Sequence, residues 1–383
     1  MARFTIYRGF LSMRRHSGSV AILVIACLAV VSEAQTRREI RFPDLPGQRT
    51  LKCDFHTHTA FSDGDVWPHV RINEAWREGL DVIAITDHIE YRPHKNDINA
   101  DHNRPYEIAA ARAKELNILV IKGTEITRDT PPGHFNALFL EDINPLDTKD
   151  FYEVFNRATA QKAFITWNHP SWLGVERGKW GEAQTRLFEA KQLHAVEICN
   201  GDEYYPDGHQ SAIERGLPVL GCSDVHRPLS DRPATATEHR TMTLVFAKER
   251  SLPAVREALF AGRTVAWYKN QLIGPENLLA PMLAACVEIR PPHHQNKDSA
   301  WVEIRNLCEL DLTLELGPAG SITRANIPAG ATNVVRLSVK ALSADGSIAC
   351  KASNFITAPN TVLQTRLMIA TPKPAPTTSP AGI

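Results

Sequence analysis

The chain has 383 residues, room for two domains at about 150 residues each. Hydrophobic residues make up 43% and charged residues 22%, the make-up of an ordinary globular protein. With 43 basic and 43 acidic residues the formal net charge is zero. No basic surplus advertises affinity for polyanions, so a dedicated nucleic-acid binder is not expected.

Residues 1–34 read as a secretory signal peptide. Arg3, Arg8, Arg14 and Arg15 precede the apolar run Val20–Val31, and small residues Ser32 and Ala34 mark a cleavage point after Ala34. The run is short of the roughly 20 residues that span a bilayer, so a cleaved leader is preferred to an anchor. VIAC at Val24–Cys27 sits inside the run, which argues against lipidation, and Arg14–Arg15 is a weak twin-arginine match. The expectation is a periplasmic or secreted protein with no stable membrane anchor. Cleavage removes four basic residues and one acidic, leaving 39 against 42, a net of about −3. Cys27 leaves with the leader. The other six Cys contain no CxxC; Cys53 and Cys222 read as strand packing. Cys286, Cys308 and Cys350 either supply a pair in an oxidising compartment or stay as buried thiols.

From Leu51 to about Val265 short apolar runs alternate with amphipathic segments. The runs are LKCDF, LDVIAIT, ILVIKGT, FNALFL, KAFITW, AVEIC, LPVLGCS and TMTLVFA. Helices are predicted from Pro68 to Glu78 with Gly79 as stop, from about Tyr106 to Leu116, from about Asp150 to Gln161 and from Pro253 to Leu259. This alternation implies βαβ units and a mostly parallel sheet or barrel. After about Asn277 helical periodicity fades. ACVEI, SAWVEI, LDLTLEL, TNVVRLSV, ASNFI and LQTRLMIA follow, and the period-two alternation of LDLTLEL and VVRLSV marks half-buried antiparallel strands. The predicted organisation is an α/β domain over residues 35–277, a small all-β sandwich over 278–370, and a Pro/Thr/Ser-rich disordered tail over 371–383.

Three apolar runs end in clusters of metal-ligand type. The first is Asp54-Phe-His56-Thr-His58 with Asp63-Gly64 following. Residues i and i+2 of a strand share a face, so His56 and His58 can reach one metal, and Gly64 permits a turn that swings Asp63 back. The second is Thr86-Asp87-His88; the third, Ser223-Asp224-Val225-His226, repeats the i, i+2 geometry. Glu125 follows LVIKGT, His134 precedes FNALFL, and His169 follows AFITW. Taken alone, each of these three reads more readily as a surface or satisfied core residue than as a ligand, and one HxH among 15 His is weak. Position unites them: all but His134 fall just past the C-terminal end of a predicted strand, the edge that carries the site in α/β barrels. Carboxylate oxygen with imidazole nitrogen suits Zn, Mn or Fe.

The ordered series HTH, SDG, TDH, GTE, GHF, NHP and SDVH resembles the polymerase and histidinol phosphatase (PHP) family, over about Leu51 to Val265. The resemblance implies a distorted seven-stranded β/α barrel and three divalent metal ions. His56, His58, Glu125 and Asp224 would hold the first ion. Glu125, His134 and His169 would hold the second, with Glu125 bridging; Asp63, His88 and His226 would hold the third. The whole chain is also similar to secreted bacterial PHP phosphodiesterases of the Sb-PDE type, which act on small haloalkyl phosphate diesters.

The expected chemistry is phosphoester hydrolysis. Two cations about 3.5–4 Å apart share a hydroxide of lowered pKa, and the third neutralises charge on the phosphoryl oxygens. Glu125, His88 and Asp224 act through that metal-bound hydroxide. Asp54 and Asp87 are placed to orient imidazoles, with strand-end capping as the alternative. Arg92 and Arg227 are candidates to clamp the substrate phosphate. The expected partner is a small-molecule phosphoester, and a homo-oligomer is left open. Rival readings are a phosphomonoesterase acting on nucleotides or sugar phosphates, an amidohydrolase-type enzyme, and a non-catalytic metal- or glycan-binding scaffold.

Overall fold

The computed structural model describes residues 36–98, 101–229 and 238–370. The leader and the tail read from the sequence lie outside the described residues. Among the described residues no helix is long and apolar enough to cross a membrane.

The strands of the first region are β1 (Arg49–Asp54), β2 (Val82–Ile85), β3 (Leu119–Ile126), β4 (Phe135–Leu138), β5 (Phe164–Trp167), β6 (Ala195–Asn200), the two-residue β7 (Glu203–Tyr204), β8 (Val219–Cys222), β9 (Met242–Ala247), β10 (Thr264–Tyr268) and β11 (Gln271–Ile273). Between them lie α1 (Pro68–Arg77), α2 (Arg104–Leu116), α3 (Phe151–Ala160), α4 (Glu182–Glu189), α5 (Pro206–Arg215) and α6 (Leu252–Phe260). Strands β1, β2 and β3 are parallel, β4 is antiparallel to both β3 and β5, and β5, β6 and β8 are again parallel. Beyond the ends of β1 and β8, Thr57 pairs with Val225 and closes the circuit. This is the distorted seven-stranded β/α barrel. The sheet is mixed rather than mostly parallel, because β4 is reversed and β9 runs antiparallel to β1.

Burial explains why these runs are strands. All four residues of β2, β4, β5 and β8 are buried, as a sheet covered on both faces requires. The helix signals hold as well. Pro68 occupies the first turn of α1, Gly79 just past it has φ +86°, and a Cβ there would lie 2.5 Å from the Arg38 carbonyl oxygen. Asp150 caps α3 by accepting the Glu153 N–H.

Helix α7 (Glu276–Cys286) departs from the sequence reading, which placed β texture here and assigned Ala285 and Cys286 to a strand. Leu278, Leu279, Met282, Leu283 and Cys286 are all buried and Pro281 lies inside the helix. A helix wrapped by apolar neighbours shows no polar stripe, and an internal Pro reads as a stop.

The C-terminal region is all-β: β12 (Val287–Ile289), β13 (His294–Gln295), β14 (Ser299–Asn306), β15 (Leu312–Leu316), β16 (Thr323–Ile327), β17 (Thr332–Ser338), β18 (Ser347–Ala358) and β19 (Thr361–Met368). Strands β12, β13, β14 and β17 form one sheet. The other, β16-β15-β18 with β19, joins the barrel sheet through parallel pairing of β11 with β18. Leu314, Ile327, Val302 and Phe355 share one core with Leu244, Phe246 and Trp267 on the outside of the barrel. The sandwich therefore packs on the barrel. Cys286, Cys308 and Cys350 are free and buried.

Candidate metal centre

The nine sequence-nominated residues all meet at one rim of the barrel. They form four overlapping groups whose ligand atoms lie within 4.8 Å of one another: His58, Asp63, His88 and His226; His56, His58 and Glu125; His56, His169 and Asp224; and Glu125, His134 and His169. The backbone explains the convergence. Thr57 pairs with Val225, the His58 N–H donates to the Val225 carbonyl, and the Asp224 N–H donates to the His56 carbonyl. Two i, i+2 pairs therefore face each other across one extended ladder, and the His56 and His58 Nε2 atoms approach to 3.0 Å. His88 pairs with Glu125 in the same way between β2 and β3.

His134, the residue that precedes its strand instead of following one, fits once β4 is seen to be reversed. The start of an antiparallel strand lies beside the ends of its neighbours. Accordingly Phe135 pairs with both Ile126 and Trp167, and the Asn168 N–H donates to the His134 carbonyl. Asp63 returns to the rim through a tight turn in which the Gly64 N–H donates to the Thr59 carbonyl. The need for glycine there is space: a Cβ on Gly64 would lie 2.6 Å from the His58 carbonyl carbon. His169 and Asp224 are held at φ +28° and +50°, backbone that L residues seldom adopt and that tends to cluster at functional sites.

The carboxylates are the centre of the arrangement. Glu125 directs Oε1 at His134 Nδ1 (3.1 Å) and His169 Nε2 (3.3 Å). Its Oε2 faces His88 Nδ1 at 2.8 Å and the Nε2 atoms of His56 and His58, each at 3.4 Å. Asp224 Oδ1 lies 3.2 Å and 3.0 Å from the same two Nε2 atoms. Asp63 Oδ1 lies 3.2 Å from His226 Nε2 and 3.5 Å from His88 Nε2. Glu125 Oε2, Asp224 Oδ1 and Asp63 Oδ1 are buried and face imidazole nitrogens without a well-aligned hydrogen bond. Buried anionic oxygens with so few well-aligned donors are strongly disfavoured unless a cation meets them. Oxygen and imidazole nitrogen together make the donor set of a borderline divalent ion, so these residues fit such ions.

Ionisation follows the same pattern. Burial pushes the Glu125 carboxyl up, but His88, His56 and the His134 and His169 contacts more than reverse this and hold it well below the usual carboxylate range. Asp224, opposed likewise by burial, is held low by His56 and His58. Burial lowers His88, yet Glu125 and Asp63 raise it to about 10; burial and the neighbouring His88 take His58 down to about 4. A divalent cation among these groups would meet the carboxylate charge and leave the imidazoles neutral to ligate it.

Several supporting residues escaped the sequence reading. Glu197, buried on β6, contacts His56 Nδ1 at 3.2 Å and accepts the His169 N–H at 3.1 Å. A glutamate inside the apolar run AVEIC was the available signal. The Asn168 side-chain amide donates to Glu125 Oε1, and that of Asn200 donates to Asp224 Oδ2. Buried Arg71 donates to the carbonyls of His58 and His226, tying the two ligand pairs together from behind.

Asp54 does not touch an imidazole side chain. It accepts from the backbone N–H groups of His56 and Ser223, from the Ser223 hydroxyl and from Arg240, and so acts as a strand-end cap. Asp87 reaches His58 only through Ser62, whose hydroxyl donates to Asp87 and lies 3.3 Å from His58 Nδ1.

A cavity of about 320 Å³ opens over the cluster, lined by Asp63, His88, Glu125, His134, His169, Trp172, Asn200, Glu203, Tyr205, Asp224 and His226. Arg92 and Arg227 are not among the residues that line it. Arg92 lines adjoining pockets with His102, and Arg227 is exposed where the chain turns away after His226.

The chain is similar over 87% of its length, and 99% of the other's, to a two-domain protein of Bacteroides vulgatus containing a predicted PHP-like metal-dependent phosphoesterase, at 43% identity and a TM-score of 0.82. The chain belongs to the PHP-like metal-dependent phosphoesterases. It is also 36% identical over 191 residues to an uncharacterised protein of Methanocaldococcus jannaschii, covering 46% of this chain and 83% of that one. A metal-dependent phosphoesterase structure from Bifidobacterium adolescentis aligns over 57% of this chain and 98% of its own at 17% identity and a TM-score of 0.39, too distant to bear on either fold or chemistry. A family model described as an Ig-like domain matches residues 287–368, the C-terminal β region.

Proposed function

We propose that the protein is an exported phosphodiesterase that hydrolyses small organic phosphate diesters at a centre of three divalent cations. The observation that carries the reading is the set of three buried carboxylate oxygens, Asp63 Oδ1, Glu125 Oε2 and Asp224 Oδ1, that converge on imidazole nitrogens without a well-aligned hydrogen bond. His56, His58, Glu125 and Asp224 would hold one ion, Glu125, His134 and His169 a second, and Asp63, His88 and His226 a third. The opposed directions of the two Glu125 oxygens suit a bridge. When bound, the cations supply Lewis-acid polarisation of a phosphoryl oxygen and acidify a water.

The chain's own residues do the rest. Glu197 and Ser62 fix the ring planes of His56 and His58, as outer partners of ligand imidazoles commonly do. Asn200 and Asn168 fix Asp224 and Glu125. Trp172, 46% exposed, lies 5.6 Å from His134 and 5.7 Å from His169 and offers an apolar wall to an ester group. Among the described lining residues none is Lys or Arg, so the phosphate charge would be met by the cations.

Hydrolysis of bis(p-nitrophenyl) phosphate against p-nitrophenyl phosphate tests the reading. The expected result is a strong preference for the bis ester, and a preference for the monoester contradicts it. Glu125→Gln is expected to lose metal and to lower turnover by at least about 10²–10³-fold, the scale of removing one preorganised electrostatic partner. Full activity in that variant contradicts the bridging role. Export, proposed from the leader, is tested by cell fractionation; a cytoplasmic, unprocessed chain contradicts it.

A further inference from the structure

The mouth of the cavity carries a feature that metal binding does not use. Glu203 lines the cavity from β7 yet belongs to none of the four ligand groups. Its carboxylate is exposed, so nothing about burial demands that it be oriented. It is oriented all the same: the buried Tyr205 hydroxyl donates to Glu203 Oε2 at 2.7 Å. Burial and the adjacent carboxylate push the Tyr205 phenol up, so it remains a donor across the neutral range. Asn200, three residues before Glu203, holds Asp224 Oδ2. The short turn between β6 and β7 therefore fixes a negative charge beside the ligand cluster.

We infer that Glu203, aimed by Tyr205, is a charge filter that sets the selectivity of the site for monoanionic diesters over dianionic monoesters, a role that rests on the phosphoesterase reading above. A phosphate monoester has a second ionisation near pH 6 and carries about −1.5 to −2 at pH 7, whereas a diester carries one negative charge. Cations at the floor attract both. A fixed carboxylate at the mouth repels the extra charge of the monoester, and no described Lys or Arg on the cavity wall offsets it. Like-charge juxtaposition is a general route to specificity.

The test uses the metal-loaded protein and the ratio of kcat/KM for p-nitrophenyl phosphate to that for bis(p-nitrophenyl) phosphate. Glu203→Gln is expected to raise this ratio about tenfold at low ionic strength. The gain should shrink in about 1 M salt, where the screening length falls to about 3 Å. Tyr205→Phe leaves the carboxylate in place but releases it, and should raise the ratio in the same direction by less. A ratio unchanged within twofold in Glu203→Gln overturns the proposal, as does an equal fall on both substrates. A gain that does not respond to salt also overturns it. The wild-type preference judges the diesterase reading separately: a wild type that favours the monoester sinks that reading, while the ratio shift still decides the role of Glu203.

Discussion

At the rim of the barrel, buried charges face one another across a few ångströms; in the C-terminal sandwich, charges pair at the surface and the buried side chains are uncharged. Glu125, His56 and His58 have side chains at most 1% exposed and in mutual contact. In the sandwich, Glu315 pairs with Arg324 and Lys351 on the outer face of β15, while Leu312, Leu314 and Leu316 point inward in strict alternation. Both regions are built from short strands and both bury polar groups, but among the described residues only the first buries charged and imidazole side chains; the sandwich buries uncharged ones such as Asn306, whose amide donates to the Leu310 and Ile327 carbonyls. Buried charged groups are retained at a stability disadvantage, and their use is recognition or chemistry. The sandwich follows the ordinary rule of apolar inside and polar outside, and its buried face is spent on packing against the barrel.

Four experiments can break or sharpen this contrast, beginning with the largest expected effect. Prolonged chelation should lower phosphoester turnover by about 10³-fold or more, since bound cations supply several kcal/mol of transition-state stabilisation. Activity should return on adding divalent metal, and undiminished activity in a fully stripped protein would count against the rim as a metal centre. Next, Arg240→Ala and Leu314→Ala should both destabilise, read as shifts in denaturant midpoint. Arg240 pairs with Asp54 at 3.0 Å and Glu78 at 2.7 Å with its side chain fully buried, and its removal should cost about 3–5 kcal/mol by stranding a buried carboxylate. Leu314, 1% exposed, should cost about 2–5 kcal/mol as a core cavity. Only Arg240→Ala should also lower turnover per folded molecule, because Asp54 holds the His56 and Ser223 backbone.

Third, Glu197→Gln should weaken metal affinity about 10–100-fold by loosening the His56 ring and the His169 backbone. Metal titration followed by activity would check it, and wild-type affinity would remove Glu197 from the centre. Last, Glu315→Gln should leave both melting temperature and turnover close to wild-type values, as expected of a surface pair whose arginine is exposed; a measurable loss of turnover would mean that the sandwich reaches into the chemistry.

Much of the rim was legible because strand ends are legible. Apolar runs closed by HTH, TDH and SDVH put His56, His58, His88, Asp224 and His226 at one edge without any knowledge of pairing. Pairing direction was not legible, which is why His134 stood as an exception until β4 proved antiparallel. Facing was not legible either. Glu197 lay hidden in AVEIC because inward and outward positions of a doubly covered strand look alike. Helix α7 was lost to its uniform apolarity, and helices α4 and α5 to short, mostly polar segments with few buried positions.

The most direct test of the central claim is to strip the purified chain of metal, return it by titration, and measure metal per chain against bis(p-nitrophenyl) phosphate turnover. The structure-based account predicts that activity climbs to a plateau at three equivalents per chain. A plateau at one equivalent, or a fully loaded chain inert toward phosphoesters, would contradict it.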